Sequence, residues 1–301
     1  MLDEADTRVH EGRALVVCGE SEAGRSDSET PLELRQDLGA ALASGRTAEI
    51  FAWGEGRVIK RFRHWVRPED VLAEMAHCKT VADLGLPVPK VRGLVELGGA
   101  LAIVFERIDG GTTVEASAGK PLRYTRLGKG LGELHATLHA TPVRETMSLP
   151  DQRHRLREKI EQAGSLSESM CLPLVARLDS LPSGDRVCHG DFHPENVLRS
   201  TDGRAVIIDW IDATIGDPLA DVARTVVLIE GGPLPDRWID RVRIRRRRSA
   251  FLKAYLRTYF RRSGRRRDHL RPWIPVVAAA RLSEVEGADA VAVLDYLARV
   301  M

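Results

Sequence analysis

Between residues 187 and 221 the chain reads Val-Cys-His-Gly-Asp-Phe-His-Pro-Glu-Asn-Val-Leu, then Arg-Ser-Thr-Asp-Gly-Arg, then Ala-Val-Ile-Ile-Asp-Trp-Ile-Asp-Ala-Thr-Ile-Gly-Asp-Pro-Leu-Ala-Asp. Asp191, Asn196 and Asp209 are the residues here whose types and spacing could do chemistry. Two carboxylates and an amide are hard oxygen donors suited to Mg2+, which takes few protein ligands and keeps positions for water and phosphate oxygens. Phosphoryl transfer uses such a set: Asp209 as the metal carboxylate, Asn196 as the amide that helps hold the metal, and Asp191 to accept the proton of an attacking hydroxyl. Taken singly, Asp, Asn and Gly are also ordinary turn residues.

A hairpin would bring the three together. The apolar runs Val197-Leu198 and Val206-Ile207-Ile208 flank Asp202-Gly203, a pair that tolerates the positive φ of a tight turn. Asp191 and Asn196 would then enter on the first arm and Asp209 on the second.

His189-Gly190-Asp191 with Asn196, followed by Ile208-Asp209-Trp210, resembles the catalytic loop and metal-binding Asp of the aminoglycoside phosphotransferase and choline kinase-like family. The protein-kinase loop His-Arg-Asp, with an Asn five positions after the Asp, has the same spacing, Gly190 standing in place of its Arg. The resemblance covers about residues 38 to 300 and implies a two-lobed α+β fold of protein-kinase type, a small antiparallel-sheet lobe and a mainly helical lobe with nucleotide in the cleft. It gives a domain reading of 1–36 as a flexible extension, 37–105 as the sheet lobe with one helix, 106–111 as a hinge and 112–301 as the helical lobe with catalytic loop and substrate site.

The elements before the loop fit that reading. Residues 1 to 36 are weakly patterned, and Gly19 to Thr30 has almost nothing to bury, as in disordered segments; Ala14 to Cys18 could add an edge strand. From Leu38, three strand-like runs are separated by Ser44-Gly45-Arg46-Thr47 and Gly54-Glu55-Gly56, an antiparallel meander whose first turn could cover phosphates through backbone N–H groups. No Gly-x-Gly-x-x-Gly or Walker motif is present. In the third run, alternation puts Val58, Lys60 and Phe62 on one face and Ile59 with Arg61 on the other. A lysine so placed either snorkels to solvent or meets an anionic ligand.

Pro68 to Cys78 opens as a helix, with a first-turn proline and two acids, and stops by Gly85-Leu86-Pro87. At about 100° per residue Glu74 sits on the edge of the stripe of Val71, Met75 and Cys78, either paired or as an exposed-edge glutamate. By resemblance Lys60 contacts the nucleotide α and β phosphates and Glu74 holds it. Val88 to Val95 and Ala100 to Glu106 complete a sheet of about five strands, and the resemblance makes the Glu106 carbonyl and the Ile108 N–H contacts to the adenine edge.

Tyr124 to Ala140 carries apolar residues at helical spacing, with His135 and His139 four apart but without the Glu of His-Glu-x-x-His, so a helix-face role is expected for both. His154 to Leu181 reads as a further helical stretch. After Asp209, Asp217 before Pro218 suits a helix cap, and the resemblance makes it the buttress of the catalytic loop. Asp212 could face substrate or solvent. His189 would pack and order the loop, while His193 has no evident role. The arginine clusters at 241–248 and 261–267 have no aromatic stacking partners between them and read as solvated helix. Pro275 to Glu284 and Ala290 to Val300 read as closing helices.

At 301 residues, 43% of them hydrophobic, the chain can build two units and a sizeable core. No run approaches the roughly 20 apolar residues of a membrane span, and Ala14 to Cys18 is too short for a signal peptide. Cys18, Cys78, Cys171 and Cys188 are dispersed, without zinc or disulfide spacing, so reduced thiols and a cytoplasmic location are expected. A net charge of +2 gives no global argument for a nucleic-acid partner.

The expected activity is Mg2+-dependent transfer of the γ-phosphate of ATP or GTP to a hydroxyl of a small molecule. Within the family an aminoglycoside is favoured, because Asp212 and Glu230 would attract a polycation. Homoserine, sugar, macrolide and choline are the metabolic alternatives, and choline ranks lower because Trp210 is the sole aromatic beside the motif and a quaternary amine wants an aromatic cage. A nucleotide-binding pseudokinase that regulates a partner is the reading from another class, opposed by the intact Lys60, Glu74, Asp191, Asn196 and Asp209.

Overall fold

The computed structural model describes residues 38–117, 122–143 and 147–301; the extension expected over residues 1–36, with its edge strand, lies outside them. The chain divides into two compact units, the first ending at Ile108 and giving up residues 80–88 to the second.

The first unit is a five-stranded antiparallel sheet. Its strands are β1 (Ala43–Ser44), β2 (Ala48–Ala52) and β3 (Arg57–Phe62), then, after α1 (Pro68–Asp83), β4 (Val91–Leu97) and β5 (Ala100–Glu106), ordered β1-β2-β3-β5-β4. The first strand is only two residues long, because the Gly45 N–H bonds back to the Ala48 carbonyl at 2.8 Å and closes the turn early. Alternation sorts the faces as the sequence predicts. Ile59 joins Phe51, Ala102 and Val104 in one apolar layer, while Lys60 lies over the ring of Phe62, 5.1 Å from its centroid.

The second unit runs through β6 (Gly110–Thr112), α2 (Arg123–Ala140), α3 (Gln152–Glu161), α4 (Glu168–Ser180), β7 (Arg186–Cys188), β8 (Val197–Ser200), β9 (Ala205–Ile207), β10 (Thr214–Gly216), α5 (Pro218–Glu230), α6 (Trp238–Ser263), α7 (Trp273–Arg281) and α8 (Gly287–Val300). The stretch read as one helix over 154–181 is two. The Ala-Gly-Ser-Leu-Ser segment at 163–167 interrupts it, and Asp151 caps α3 by accepting the His154 N–H at 2.7 Å. Among the described residues no helix is long and apolar enough to cross a membrane.

The arginine-rich α6 is held by its other face. Phe251, Leu252, Tyr255 and Tyr259 are buried against α2, where Gly132 lets the backbones approach so closely that an added Cβ would stand 2.5 Å from the Tyr255 carbonyl oxygen. Gly132→Ala should therefore cost about 1–3 kcal/mol by overpacking despite alanine's better helix propensity, which chemical denaturation would show. Wild-type stability in the variant would mean that the two helices can part.

Candidate active site

The predicted hairpin is present. β8 and β9 pair antiparallel with Val197 opposite Ile207 and Leu198 opposite Val206, turning through Gly203 at φ 88°. A third strand the sequence reading did not contain, β6, pairs with β8, while β7 pairs with β10 and places the catalytic loop at the exit of β7.

That loop is built on backbone amides. The Asp221 carboxylate accepts the His189 N–H at 2.6 Å on one oxygen and the Gly190 N–H at 2.9 Å on the other. Gly190 has φ 80° and its Cα faces the Asp212 carbonyl so closely that no side chain fits. Asp221, rather than Asp217, therefore buttresses the loop. Asp217 is spent as the cap of α5, accepting the Leu219 N–H at 2.7 Å, and its own N–H donates to Gln152 Oε1. The resemblance assigns the buttress to Asp217, for which local spacing supports only the cap before Pro218; the packing of α5 brings Asp221 under the loop instead.

The Asp221 oxygen that receives His189 also accepts from His135 Nε2 at 3.1 Å and His139 Nε2 at 3.2 Å, whose Nδ1 atoms meet the hydroxyls of Tyr255 at 2.7 Å and Tyr259 at 2.8 Å. These histidines are not on an exposed helix face; both are buried. Their ligand-type atoms and that of Asp221 all lie within 4.8 Å of one another, yet each of those atoms already has a hydrogen-bond partner. Burial pushes both imidazoles down, His139 to about 4. Burial acts to raise the Asp221 carboxyl, but His135 and His139 hold it well below the carboxylate range.

Neutral buried histidines have a thermodynamic consequence. With folded-state values below the unfolded value of about 6.5, the unfolded chain takes up protons first as pH falls. Stability should thus be lost as pH falls from about 6.5 toward 4, with a slope reaching ~1.4 kcal/mol per pH unit for His139 and His135 adding in the same direction. Depressed carboxylates such as Asp221 lose their contribution only at lower pH. Urea unfolding at pH 7, 6 and 5 measures the effect, and a flat profile would show that the imidazoles titrate in the fold as they do in the unfolded chain.

His189 is fully buried. Its Nε2 lies 3.0 Å from the Ile208 carbonyl, and its Nδ1 accepts the Asp191 N–H at 3.2 Å. The imidazole thus joins the residue before Asp209 to Asp191, packed at 4.5 Å against Trp210, which is the packing and ordering expected of it.

Asn196 Nδ2 donates to the Asp191 carbonyl at 3.0 Å and to Asp191 Oδ2 at 3.2 Å, which turns its Oδ1 away from Asp191. The Ile208 N–H donates to the Asn196 carbonyl at 3.0 Å, so the residue before Asp209 is tied to Asn196. Asp209 has φ 67°, a left-handed conformation that non-glycine residues rarely hold. The donor set, a carboxylate and an amide oxygen, fits Mg2+.

Asp191 has more partners than its motif foretells. Arg224 Nη2 reaches Asp191 Oδ1 at 3.1 Å, and His193 Nε2 stands 3.4 Å from Oδ2. Burial raises the carboxyl, and the His193 hydrogen bond with the Arg224 charge overrides it, leaving Asp191 ionised far below the ordinary carboxylate range. Neither residue carried a functional signal in the sequence. Arg224 lies six helical positions beyond the Pro218 that opens α5, within an apolar run, and only its burial on that helix marks it.

In the first unit, Lys60 Nζ and Glu74 Oε1 are 2.5 Å apart, with Lys60 8% exposed and Glu74 1%. Both sequence alternatives of exposure, the snorkelling lysine and the edge glutamate, are excluded by that burial. The Ser44–Thr47 turn forms, but Arg63 Nη2 donates to Ser44 Oγ at 3.0 Å and to the Gly45 carbonyl at 3.3 Å. The Gly45 N–H is committed inside the turn. Glu106 ends β5 and its N–H bonds the Lys90 carbonyl at 2.9 Å, while Ile108 is half-buried beyond it.

A family model described as the phosphotransferase enzyme family matches residues 39–273. The chain belongs to that family. No curated protein sequence matches the chain. Among solved structures, aminoglycoside phosphotransferase APH(4)-Ia superposes with a TM-score of 0.60 at 16% identity, covering 87% of this chain and 92% of that one. Choline kinase LicA from Streptococcus pneumoniae gives 0.53 at 16% identity, with 88% and 92% covered. Macrolide 2'-phosphotransferase MphH from Brachybacterium faecium gives 0.51 at 20% identity, with 86% and 90% covered. This phosphotransferase therefore has the protein-kinase-like fold expected from its loop, an antiparallel-sheet unit followed by a helical unit.

Proposed function

We propose that the protein transfers the γ-phosphate of ATP to a hydroxyl group of a small molecule. The observation that carries this reading is the triad of Asp191, Asn196 and the left-handed Asp209 tied together through His189 and the Ile208 backbone. Nucleotide use is supported by a solved form of APH(4)-Ia described as a ternary complex with ADP and hygromycin B.

In this reading Lys60, aligned by Glu74, positions the nucleotide phosphates. The turn at Ser44, Gly45, Arg46 and Thr47 lies along them, and Glu106 with Ile108 contacts the base. Asn196 and Asp209 would hold Mg2+, which supplies charge neutralisation at the transferring phosphoryl group. Asp191 accepts a hydrogen bond from the acceptor hydroxyl and aims its oxygen along the line of attack, the near-attack geometry that makes the step effectively unimolecular. The hydroxyl oxygen forms the new bond to phosphorus, ADP leaves, and the hydroxyl proton passes to Asp191 and on to solvent.

Among small-molecule acceptors a quaternary amine of the choline type ranks lower, because Trp210, the aromatic beside the motif, is fully buried and its Nε1–H donates to the Ile207 carbonyl at 3.1 Å. The test is Mg2+-dependent transfer from ATP and from GTP across hydroxyl-bearing compounds, hygromycin B included, with product mass as the readout. A phosphorylated product absent in Asp191→Asn establishes the reading. Tight nucleotide binding with no product from any acceptor would favour a pseudokinase.

A further inference from the structure

Beside the catalytic loop, within the helical unit, is a small cavity of about 40 Å³ whose walls include Gly190, Thr214, Arg155, Lys159, Arg224 and Glu284. This is room for about three water-sized groups, at roughly 10–15 Å³ each. It suits one terminal group of a ligand, not its body.

Its walls are strongly charged. Lys159 Nζ is 2.8 Å from Asp212 Oδ1 and 2.7 Å from Glu284 Oε1, and Arg155 Nη2 is 3.0 Å from that same Asp212 oxygen. Glu284 Oε2 also takes Arg224 at 2.6 Å and Arg281 at 2.5 Å, and Arg224 continues to Asp191. The wall cations Arg155, Lys159 and Arg224 are thus paired with the wall carboxylates Asp212 and Glu284, with Arg281 and Asp191 extending the network beyond the cavity. Asp221 also borders the cavity, but its oxygens serve the loop amides and the two histidines. Arg224 is 6% exposed, and its Nε, fully buried, has no hydrogen-bond partner. Burial opposes the charge on its guanidinium, but Glu284 and Asp191 raise its pKa, so it stays a cation.

The acids expected to draw in a polycation are not at liberty to do so. Asp212 is held by Arg155 and Lys159, and Glu230 accepts from the Tyr296 hydroxyl at 3.0 Å. An ammonium group entering here would find the Asp212, Asp221 and Glu284 carboxylates already paired, whereas a carboxylate would supply the acceptor that the buried Arg224 Nε–H lacks, in a site where charge-assisted hydrogen bonds are strong.

We infer that this cavity is an acceptor subsite for a carboxylate, so that the phosphorylated molecule is a hydroxy acid whose hydroxyl lies against Asp191 while its carboxylate is held by Arg224, Lys159 and Arg155. The inference rests on the phosphotransfer reading above and names its substrate class. The planar guanidinium of Arg224 contacts Asp191 directly, so the same residue that orients the carboxylate aligns the group that receives the hydroxyl proton.

The test uses two series matched in skeleton: glycerate, glycerol and 3-aminopropane-1,2-diol, and galacturonate, galactose and galactosamine. Each compound is assayed with ATP and Mg2+ for product, and by calorimetry on the AMP-PNP complex. The expected result is a preference of about tenfold or more for the carboxylate member of at least one series in kcat/KM, or in Kd where there is no turnover. Lys159→Met, with Arg155→Met as a second and more exposed site, should erase that preference, which a merely structural ion pair would not do. Equal response within both series, preference for the ammonium member, or no binding by any of the six overturns the inference. Failure of the phosphotransfer reading is told apart by AMP-PNP itself, since a protein that neither binds it nor phosphorylates any compound is not the proposed kinase.

Discussion

Asp191→Asn is expected to lower kcat by about 10²–10⁴-fold while affinity for the nucleotide changes little. The carboxylate is the loop group assigned in this reading to take the proton, and asparagine matches its size. Arg224 and Asn196 both donate to Asp191, so an amide oxygen there keeps one of these bonds and presents its NH2 to the other donor or to His193. The positioning is thus weakened along with the proton acceptor, and the loss falls on kcat more than on KM. Because Asp191 is ionised far below the ordinary range, it acts through orientation and late proton acceptance, and the wild-type rate should show no acidic limb from this group above about pH 4. Single-turnover kinetics on the variant beside a thermal melt would decide the matter. A rate within a few-fold of wild type would remove Asp191 from the chemistry.

Asp209→Asn should have the second large effect, a loss of about 10²–10³-fold, since metal stabilisation of transferring phosphate is worth several kcal/mol and each ~1.4 kcal/mol is a decade in rate. The choice of asparagine matters. Asp209 sits at φ 67°, and Asn tolerates that conformation whereas Ala would add strain of roughly 1–2 kcal/mol. Only the charge is then removed. The defect should shrink as Mg2+ is raised, a response that Asp191→Asn should not show, and titrating activity against Mg2+ for both variants separates the roles. An Asp209→Asn enzyme with wild-type Mg2+ dependence would place the metal elsewhere.

The parts of this protein that sequence alone determined are those encoded by neighbours along the chain. Asp202-Gly203 between two apolar runs specifies a hairpin, which brings Asn196 at the start of one arm near Asp209 at the end of the other, with Asp191 just ahead of it in the chain. Period-two alternation put Lys60 on the Phe62 face of its strand and Ile59 on the other, and helical period put Glu74 at a stripe edge, so their buried pair was within reach of pattern reasoning. The same local logic missed what depends on helices far apart in sequence. His135 and His139 have the spacing of a helix face, yet α5 lays Asp221 between them and the loop amides. Arg224 and Lys159 come from two helices and Glu284 from the turn that follows α7, and each looked like an ordinary charged helical residue because a helix's own sequence does not say which face is covered or by what. Resemblance gives Asp217 the buttress, while local sequence shows only its cap; the carboxylate one turn further on acquires its role when α5 packs. Tertiary structure decided the electrostatics around Asp191: low-dielectric burial makes the sign and satisfaction of each charge depend on its spatial partners, and Arg224, the cation on its Oδ1, lies outside the motif on α5.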